Sequence, residues 1–115
     1  MKASAIPKSK KRTMTADDRS LDLAAKLFSI LSAPMRLKIL RSVCDSEKNV
    51  SELLAEIETT QPNMSQHLST LFKAGILGKR RDGVQIYYRV VDPRVIDLCH
   101  TVCAQVNSDD AVLAA

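Results

Sequence analysis

The sequence predicts a mainly α-helical domain with one small β-hairpin, and three observations lead to this fold class. Apolar residues recur at helical spacing along most of the chain. Asp82-Gly83 stands between two stretches rich in β-branched and aromatic residues, which is the strongest short-range signal for a hairpin. Aromatic residues make up only 3% of the 115 residues, so the core must consist mainly of Leu, Ile, Val and Ala. A chain of this length supports one core and therefore one domain.

Two flanking segments are predicted to lie outside the folded domain. Residues 1–16 contain no acidic residue and no apolar periodicity, and their cationic side chains are Lys2, Lys8, Lys10, Lys11 and Arg12. We expect a disordered basic arm over 1–16, which either contacts DNA phosphates or is a passive tail. The folded domain is predicted over 17–106, and residues 107–115 are predicted to form a flexible tail.

The first predicted helix begins at Asp18 and has two apolar stripes at helical spacing. One stripe contains Leu21, Ala24, Ala25, Phe28 and Leu31, and the other contains Leu23, Leu27 and Ile30. Two stripes require two apolar partners, so one can face the core of the domain and the other a second subunit. This pattern is a first indication of a homodimer.

Two short helices joined by a tight turn are predicted in the middle of the chain. Asn49 and Glu52 have the spacing of a capping box at the start of the first. The second is predicted over residues 61–74, with Pro62 in its first turn and Gly75 closing its end. Such a pair is typical of a helix-turn-helix.

The elements around this pair complete the predicted topology. Before the pair lies a helix that starts at Pro34, with Leu37, Leu40 and Cys44 on one side. The hairpin follows the pair. A last helix is predicted to begin with Asp92 as its cap and Pro93 at its first position. This order of elements predicts a winged helix-turn-helix, with the hairpin as the wing.

The longer helix of the helix-turn-helix has the polar side chains that read base edges in DNA. Its buried stripe is predicted to contain Met64, Leu68, Leu71 and Phe72. The helix has no acidic residue. Its amides can pair with adenine edges, its hydroxyls can donate to several acceptors, and its lysine can bind guanine or phosphate. The predicted DNA contacts on this helix are Gln61, Asn63, Ser65, Gln66, His67, Ser69, Thr70 and Lys73.

The predicted wing is basic, with Lys79, Arg80 and Arg81 on its first strand and Arg89 on its second. Basic wings bind flanking phosphates or the minor groove, and the formal net charge of +4 suits such a partner. A run of charge on a hairpin is usually only a solvated face. Because this run follows an acid-free helix, we predict that all four residues contact DNA.

Five short motifs occur in order along the chain: LSAPMRLKIL at 31–40, VSEL at 50–53, QPNMSQHL at 61–68, RRDG at 80–83 and Tyr87-Tyr88. With these motifs the chain resembles the ArsR/SmtB family over residues 18–106. The resemblance implies a bacterial homodimer, formed through the first and last helices, that represses transcription from an imperfect palindrome in double-stranded DNA until an inducer arrives. It implies neither an enzyme nor a membrane partner. Because no signal peptide or membrane span is apparent, we expect a cytoplasmic location.

Two sensing sites of this family are not matched by the sequence. In the arsenite-type site that the resemblance implies, Cys-Val-Cys stands at the start of the helix before the turn. This chain has Asn49-Val50-Ser51 at those positions. The zinc-type site on the last helix keeps only its opening, Asp97-Leu98-Cys99, with Asp110 at the distant position and Leu113 in place of the final ligand. We therefore expect the first site to be absent and the second to be degraded.

The remaining sensing residues are Cys44 on the second helix and Cys99 and Cys103 on the last helix. A persulfide- or oxidant-responsive branch of the family pairs one cysteine on each of these helices, and Cys44 and Cys103 are each displaced by roughly one helical turn from that pattern. If the helices pack antiparallel, a reversible disulfide or polysulfide bridge can join Cys44 to Cys103, or to Cys99 instead. Such a bridge would alter the dimer interface and so the spacing between the DNA-reading helices of the two subunits.

The cysteines allow two other interpretations. Cys99 and Cys103 are four residues apart, so their thiolates can hold arsenite, cadmium or copper(I), with Cys44 or a cysteine of the other subunit completing the site. His100 lies off the face that those two cysteines share. Alternatively all three are inert, because Cys is among the most buried residue types. No cofactor is required, and the inducer would be a reactive sulfur species or a soft metal or metalloid ion.

Two further function classes compete with an inducible repressor. A thiol oxidoreductase would need Cys-x-x-Cys at a helix start, whereas Cys99 and Cys103 form Cys-x-x-x-Cys in mid-helix. A DNA-binding module with structural cysteines and no inducer would bind with little sequence preference. We predict a sequence-specific repressor whose operator affinity falls when its thiols are modified, with a metal- or metalloid-responsive repressor and the inducer-free module as alternatives.

Overall fold

The elements of the chain follow the predicted order, with one additional short strand. The structure, a computed structural model, describes the backbone of residues 15–114 and the side chains of residues 15–102, 104 and 105. The elements in this part of the chain are α1 (Ala16–Leu31), α2 (Pro34–Val43), β1 (Lys48–Asn49), α3 (Val50–Glu56), α4 (Gln61–Lys73), β2 (Leu77–Asp82), β3 (Gln85–Val90) and α5 (Pro93–Ala114). The predicted basic arm lies outside the described residues up to residue 14, and α1 begins two residues before the predicted start.

The two helices of the helix-turn-helix are begun by side-chain caps. At α3 the predicted capping box is confirmed, because Asn49 Oδ1 accepts from the backbone N of Glu52 at 2.8 Å and Glu52 Oε1 accepts from the backbone N of Asn49 at 2.9 Å. Thr60 caps α4 by accepting from the backbone N of Asn63 at 3.2 Å. Gly75, with a φ of 79°, ends this helix. Local chemistry therefore fixes where both helices start and where α4 stops.

The wing is part of a three-stranded antiparallel sheet in the order β1-β3-β2. In β1, Lys48 pairs with Tyr88 and Asn49 pairs with Tyr87. A strand of two residues is too short to show an alternating pattern, so the sequence did not predict it. Through β1, the segment that caps α3 is also hydrogen-bonded to the wing.

The hairpin turn is shifted by one residue from the Asp-Gly pair that predicted it. Asp82 pairs with Gln85, so the two loop residues are Gly83 and Val84. Gly83 has a φ of 65° and Val84 does not have a positive φ, as in type II′ turns, where Gly occupies the first loop position. The hairpin itself is confirmed, and Gly83 supplies the backbone conformation that the turn needs.

The last helix starts where the sequence predicted and ends later. Asp92 Oδ1 accepts from the backbone N of Arg94 at 3.0 Å, and Pro93 is the first residue of α5. α5 continues past residue 106 to Ala114, through the segment predicted to be a flexible tail. The extent of the folded domain stays a prediction. Among residues 15–114 no helix combines the length and apolar composition needed to cross a membrane.

The core lies between α2, α3, α4, the wing and the start of α5. Its most deeply buried side chains are Ile39, Leu40, Val43, Leu53, Met64, Leu68, Leu71, Ile76, Leu77 and Val95. The prediction that Phe72 is buried is wrong, because it is 40% exposed. Phe72 follows Leu71 at the edge of the apolar stripe of α4, and its ring centroid lies 4.3 Å from Nζ of Lys79 on the wing.

The apolar side chains of α1 have two kinds of surroundings, but these do not follow the two predicted stripes. Leu27 and Ile30 of one stripe pack against the core, and Leu31 of the other stripe belongs to it. Leu21 and Phe28 of one stripe and Leu23 of the other are 63%, 57% and 60% exposed. A single chain therefore leaves several large apolar side chains of α1 uncovered.

Replacing Asn49 with Ala is expected to lower the free energy of unfolding by about 1–2 kcal/mol, because the backbone N–H of Glu52 loses its acceptor. Asn49 is only 9% exposed, which limits replacement of that acceptor by water. Urea denaturation at fixed protein concentration measures the difference, and Asn49→Asp, which keeps an acceptor, is the matched control. Equal stability of wild type and N49A would show that the cap contributes nothing.

Candidate functional site

The polar side chains of α4 form a stripe on the side away from the core, which we call the α4 stripe. Its exposed members are Gln61, Ser65, Gln66, Ser69 and Lys73. Residues four apart on a helix lie on one face, so positions 61, 65, 69 and 73 form a continuous line with Gln66 beside it. The other predicted contacts, Asn63, His67 and Thr70, are half-buried. α4 contains no acidic residue.

Two of the half-buried residues are already hydrogen-bonded within the helix-turn-helix. Asn63 Nδ2 donates to Thr59 Oγ1 at 2.7 Å. Thr70 Oγ1 donates to the backbone O of Gln66 at 3.1 Å. The hydroxyl donor of Thr70 and one of the two N–H donors of Asn63 are thus engaged, while both side chains keep acceptor capacity. The α4 stripe is therefore the part of the predicted surface that is best placed to bind another molecule.

The four basic residues of the wing are divided between the two faces of the hairpin. Side chains alternate along a strand, and directly paired residues of antiparallel strands lie on the same face. Lys79 and Arg81 therefore share one face, which we call the Lys79 face. Arg89 pairs with Gly78, two residues from Arg80, so Arg80 and Arg89 lie on the opposite face. The sequence predicted one basic group, and the register of the strands separates it into two.

Arg80 is held by an acidic residue of the segment before β1. Its Nε donates to Glu47 Oε1 at 2.9 Å and to Oε2 at 3.1 Å, and its Nη2 also donates to Oε1. The hydrogen bonds from Arg80 lower the pKa of Glu47, and those to Glu47 raise the pKa of Arg80. Because Arg80 has an anionic partner within the protein, Lys79 and Arg81 are the better-placed cations. The contact of Lys79 with Phe72 places the Lys79 face next to α4.

A second group of reactive side chains, the Cys44 cluster, consists of Cys44, Asp45 and His100, where α2 ends against α5. Sγ of the half-buried Cys44 lies 3.3 Å from Nε2 of His100. Oδ1 of Asp45 lies 3.8 Å from the same nitrogen. His100 and Asp45 were not among the predicted sensing residues. The available signal was that His100 precedes Cys103 by three residues, which makes the two neighbours on the helix surface.

Neither predicted partner of Cys44, Cys99 or Cys103, belongs to the Cys44 cluster as the structure describes it. Cys99 is buried and lines an apolar cavity of 220 Å³ together with Phe28, Leu31, Leu37, Leu98 and Val102. The side chain of Cys103 lies outside the described residues. A bridge from Cys44 to either cysteine therefore stays a prediction, while the contact of Cys44 with His100 is part of the structure.

Comparison with known proteins assigns the family. A family model described as "Bacterial regulatory protein, arsR family" matches residues 33–79. The crystal structure of the transcriptional repressor BigR from Xylella fastidiosa is similar with a TM-score of 0.69 and 33% sequence identity, over 77% of this chain and 93% of that one. This chain belongs to the ArsR family. The family resemblance and the winged helix-turn-helix fold predicted from the sequence are both confirmed.

Two other similar proteins are informative. A probable mercury resistance operon repressor from Streptomyces lividans is 40% identical over 77 residues, which are 67% of this chain and 62% of the relative, so the chain spans less than two thirds of it. The NMR structure of the homodimeric winged helix-turn-helix DNA-binding domain of Mb0332 from Mycobacterium bovis, a possible ArsR-family regulator, has a TM-score of 0.70 at 26% identity, over 88% of this chain and 92% of that one. The ArsR family consists of regulatory proteins rather than enzymes, as predicted.

Replacing Arg80 with Gln is expected to raise the pKa of Glu47 toward its ordinary value, because the hydrogen bonds that lower it are lost. The depressed pKa means that the pair stabilises the folded state above the pKa of Glu47 in the unfolded chain. That contribution disappears as the pH falls through the lower pKa of the folded state. NMR titration of the side-chain carboxyl measures the shift, with Arg81→Gln on the opposite face as control. An unchanged pKa in R80Q would contradict the pairing.

Proposed function

We propose that this chain is a homodimeric transcriptional repressor that binds operator DNA through the α4 stripe and the Lys79 face, and that modification of thiols between α2 and α5 lowers its affinity for that DNA. The observation that carries the proposal is the exposed, acid-free α4 stripe beside two cations of the wing. Family membership supports it.

The chemistry of the α4 stripe suits the major groove of DNA. Gln66 is an exposed amide that can donate to and accept from an adenine edge, and Ser65 and Ser69 are short hydroxyls that suit several bases. Lys73 and the Lys79 face add cations at the end of the helix and on the wing. A specific helix contact combined with phosphate contacts of a wing explains both the neutral and the cationic parts of the surface.

A homodimer would bury the apolar surface of α1 and α5. Leu21, Leu23 and Phe28 on α1 are 63%, 60% and 57% exposed, and Val102 on α5 is 48% exposed. Burying one such large side chain is worth roughly 1.5–3 kcal/mol when it goes from fully exposed to fully buried. The homodimeric domain of Mb0332 is consistent with this arrangement. Two copies would place two α4 helices on half-sites about 34 Å apart.

The proposed switch acts where α2 meets α5. His100 is positioned to accept the thiol proton of Cys44 or to hydrogen-bond its thiolate, which is the reactive form of cysteine. In the switch, the thiols of Cys44 and Cys103, or Cys99 instead, lose two protons and two electrons and form a disulfide. Hydrogen peroxide, as the oxidant, takes up these two electrons and two protons and becomes two molecules of water. The new bond would tie α2 to α5, the helix that carries part of the proposed dimer surface.

A metal- or metalloid-responsive repressor is the second candidate. A probable mercury resistance operon repressor is among the similar proteins, and thiolates are the ligands that soft ions prefer. In that case Cys99 and Cys103, with Cys44, would hold the ion. An inducer-free module with structural cysteines would bind DNA in the same way and would respond neither to thiol oxidation nor to metal ions.

Gln66→Ala is expected to weaken binding to a selected operator by about 5- to 150-fold and to affect random duplex DNA much less, because it removes a base contact. Arg81→Ala is expected to weaken both similarly and to reduce the salt slope by about one. Fluorescence anisotropy at several salt concentrations, with an operator selected from a random duplex library, measures both effects.

Lys26→Ala, which removes one charge from exposed α1, is the matched control for the Arg81 variant and is expected to leave the salt slope nearly unchanged. Equal affinity for selected and random duplexes would favour a non-specific module. A simple polyanion and unlabelled duplex DNA are compared as competitors for the bound protein. If the polyanion competes as well as the duplex does, the proposed interface is contradicted.

Oxidation is expected to lower the operator affinity of the wild type by up to roughly a hundredfold, since allosteric couplings are typically about 1–3 kcal/mol. In Cys44→Ser the ratio of affinities before and after peroxide or polysulfide treatment is expected to be close to one. Mass spectrometry of Cys99→Ser and Cys103→Ser identifies the partner sulfur. An undiminished response after alkylation of all three cysteines would contradict thiol sensing.

A further inference from the structure

We propose that the Cys44 cluster is a binding site for a divalent cation of the zinc type, which would join the end of α2 to α5. Cys44 and Asp45 directly follow the end of α2 at Val43, and His100 lies on α5. Neither the arsenite-type site nor the zinc-type site of the family uses this set, and the Cys99–Cys103 pair does not include His100. The inference goes beyond the proposed function, because metal affinity is a property of the protein without DNA.

The distances within the cluster are close to those of a metal site. Sγ of Cys44, Nε2 of His100 and a carboxylate oxygen of Asp45 all lie within 4.8 Å of one another. Zinc binds sulfur at about 2.3 Å and nitrogen or oxygen at about 2.0–2.2 Å, so the edges of a tetrahedral site are about 3.3–3.7 Å. The contacts of His100 Nε2, 3.3 Å to Cys44 and 3.8 Å to Asp45, are close to that range. Small movements of the side chains would complete the geometry.

The donor set indicates the class of cation. A thiolate, an imidazole nitrogen and a carboxylate suit borderline metals such as zinc and cobalt, whereas magnesium and calcium prefer oxygen alone. Binding releases the thiol proton of Cys44, and the resulting thiolate and the carboxylate of Asp45 together balance the charge of a dication. The side chains of His100 and Asp45 are 59% and 88% exposed, so a cation can reach the cluster from solvent and the ligands can adjust to it.

Three protein ligands leave a fourth position in a tetrahedral site. Water can occupy it, as in open zinc sites. Cys103 is the side chain of α5 that follows His100 by three residues, which puts it at a neighbouring position on the helix. A test with a Cys103 variant therefore separates a three-residue site from a four-residue site.

Titration of the full-length reduced protein with Co²⁺ tests the site directly. The wild type is expected to bind one Co²⁺ per chain with a sulfur-to-cobalt charge-transfer band, and zinc is expected to displace it. Cys44→Ser should abolish the band, and His100→Gln and Asp45→Asn should each weaken binding by roughly tenfold or more, since even the residues that orient metal ligands contribute about 10–100-fold to affinity. Cys99→Ser and His67→Gln are the matched thiol and imidazole controls and should bind as the wild type does.

A second measurement does not depend on spectral bands. Zinc is expected to slow alkylation of Cys44 at least tenfold relative to Cys99, read by mass spectrometry of the modified peptides. Circular dichroism of each variant establishes that it is folded, and if C44S is not, the His100 and Asp45 variants together with the alkylation rates decide the question. Loss of affinity in Cys103→Ser in addition to C44S and H100Q identifies the fourth ligand within the proposed site.

Wild-type affinity in C44S and H100Q would overturn the proposal. So would loss of affinity only in the Cys99 and Cys103 variants, which would move the metal to the thiolate pair on α5. Operator binding by the metal-free wild type is measured separately, so a failure of the metal site leaves the proposed DNA interface untouched, and a failure of DNA binding leaves the metal titration valid.

Discussion

The short segment from Cys44 to Asn49 is the constraint on which the arrangement of both candidate sites depends. Its first residue contacts His100 on α5, Glu47 holds Arg80 on the wing, and Asn49 caps α3. Lys48 forms an ion pair with Glu56 at 2.8 Å, which ties the segment to the end of α3. Within six residues, the chain therefore links the Cys44 cluster, the wing and the helix-turn-helix through direct side-chain contacts. A bond or ion that moves the end of α2 acts at the point where these elements meet.

The character of the wing is decided by strand register rather than by composition. Four cations in the sequence become two pairs on opposite faces, because side chains alternate along each strand. One pair is next to α4, through the contact of Lys79 with Phe72, and the other is beside Glu47. The effective charge presented alongside α4 is therefore smaller than the sequence suggests. Specificity of the proposed interface depends correspondingly more on the neutral side chains of the helix.

α5 connects the two remaining features of the molecule. Its first turns bury Val95 in the core and contribute Cys99 to the apolar cavity near α1, while His100 faces the end of α2. The apolar surface and the Cys44 cluster are thus on neighbouring sides of one helix. Packed interfaces change between discrete arrangements rather than deform continuously, so the proposed link between α2 and α5 would shift a dimer from one arrangement to another.

The sequence by itself determined the elements whose causes are local. The capping box at Asn49, the proline at the start of α5, the glycine that ends α4 and the glycine in the hairpin act through neighbours in the chain, so the order of helices and the winged fold could be predicted. The tertiary structure alone decided what depends on contacts between distant segments: the pairing of β1 with β3, the exposure of Phe72, the capture of Arg80 by Glu47 and the meeting of Cys44 with His100. Periodicity gives the face of a helix on which a residue lies, but only the packing of one element on another decides which side chain stands opposite it.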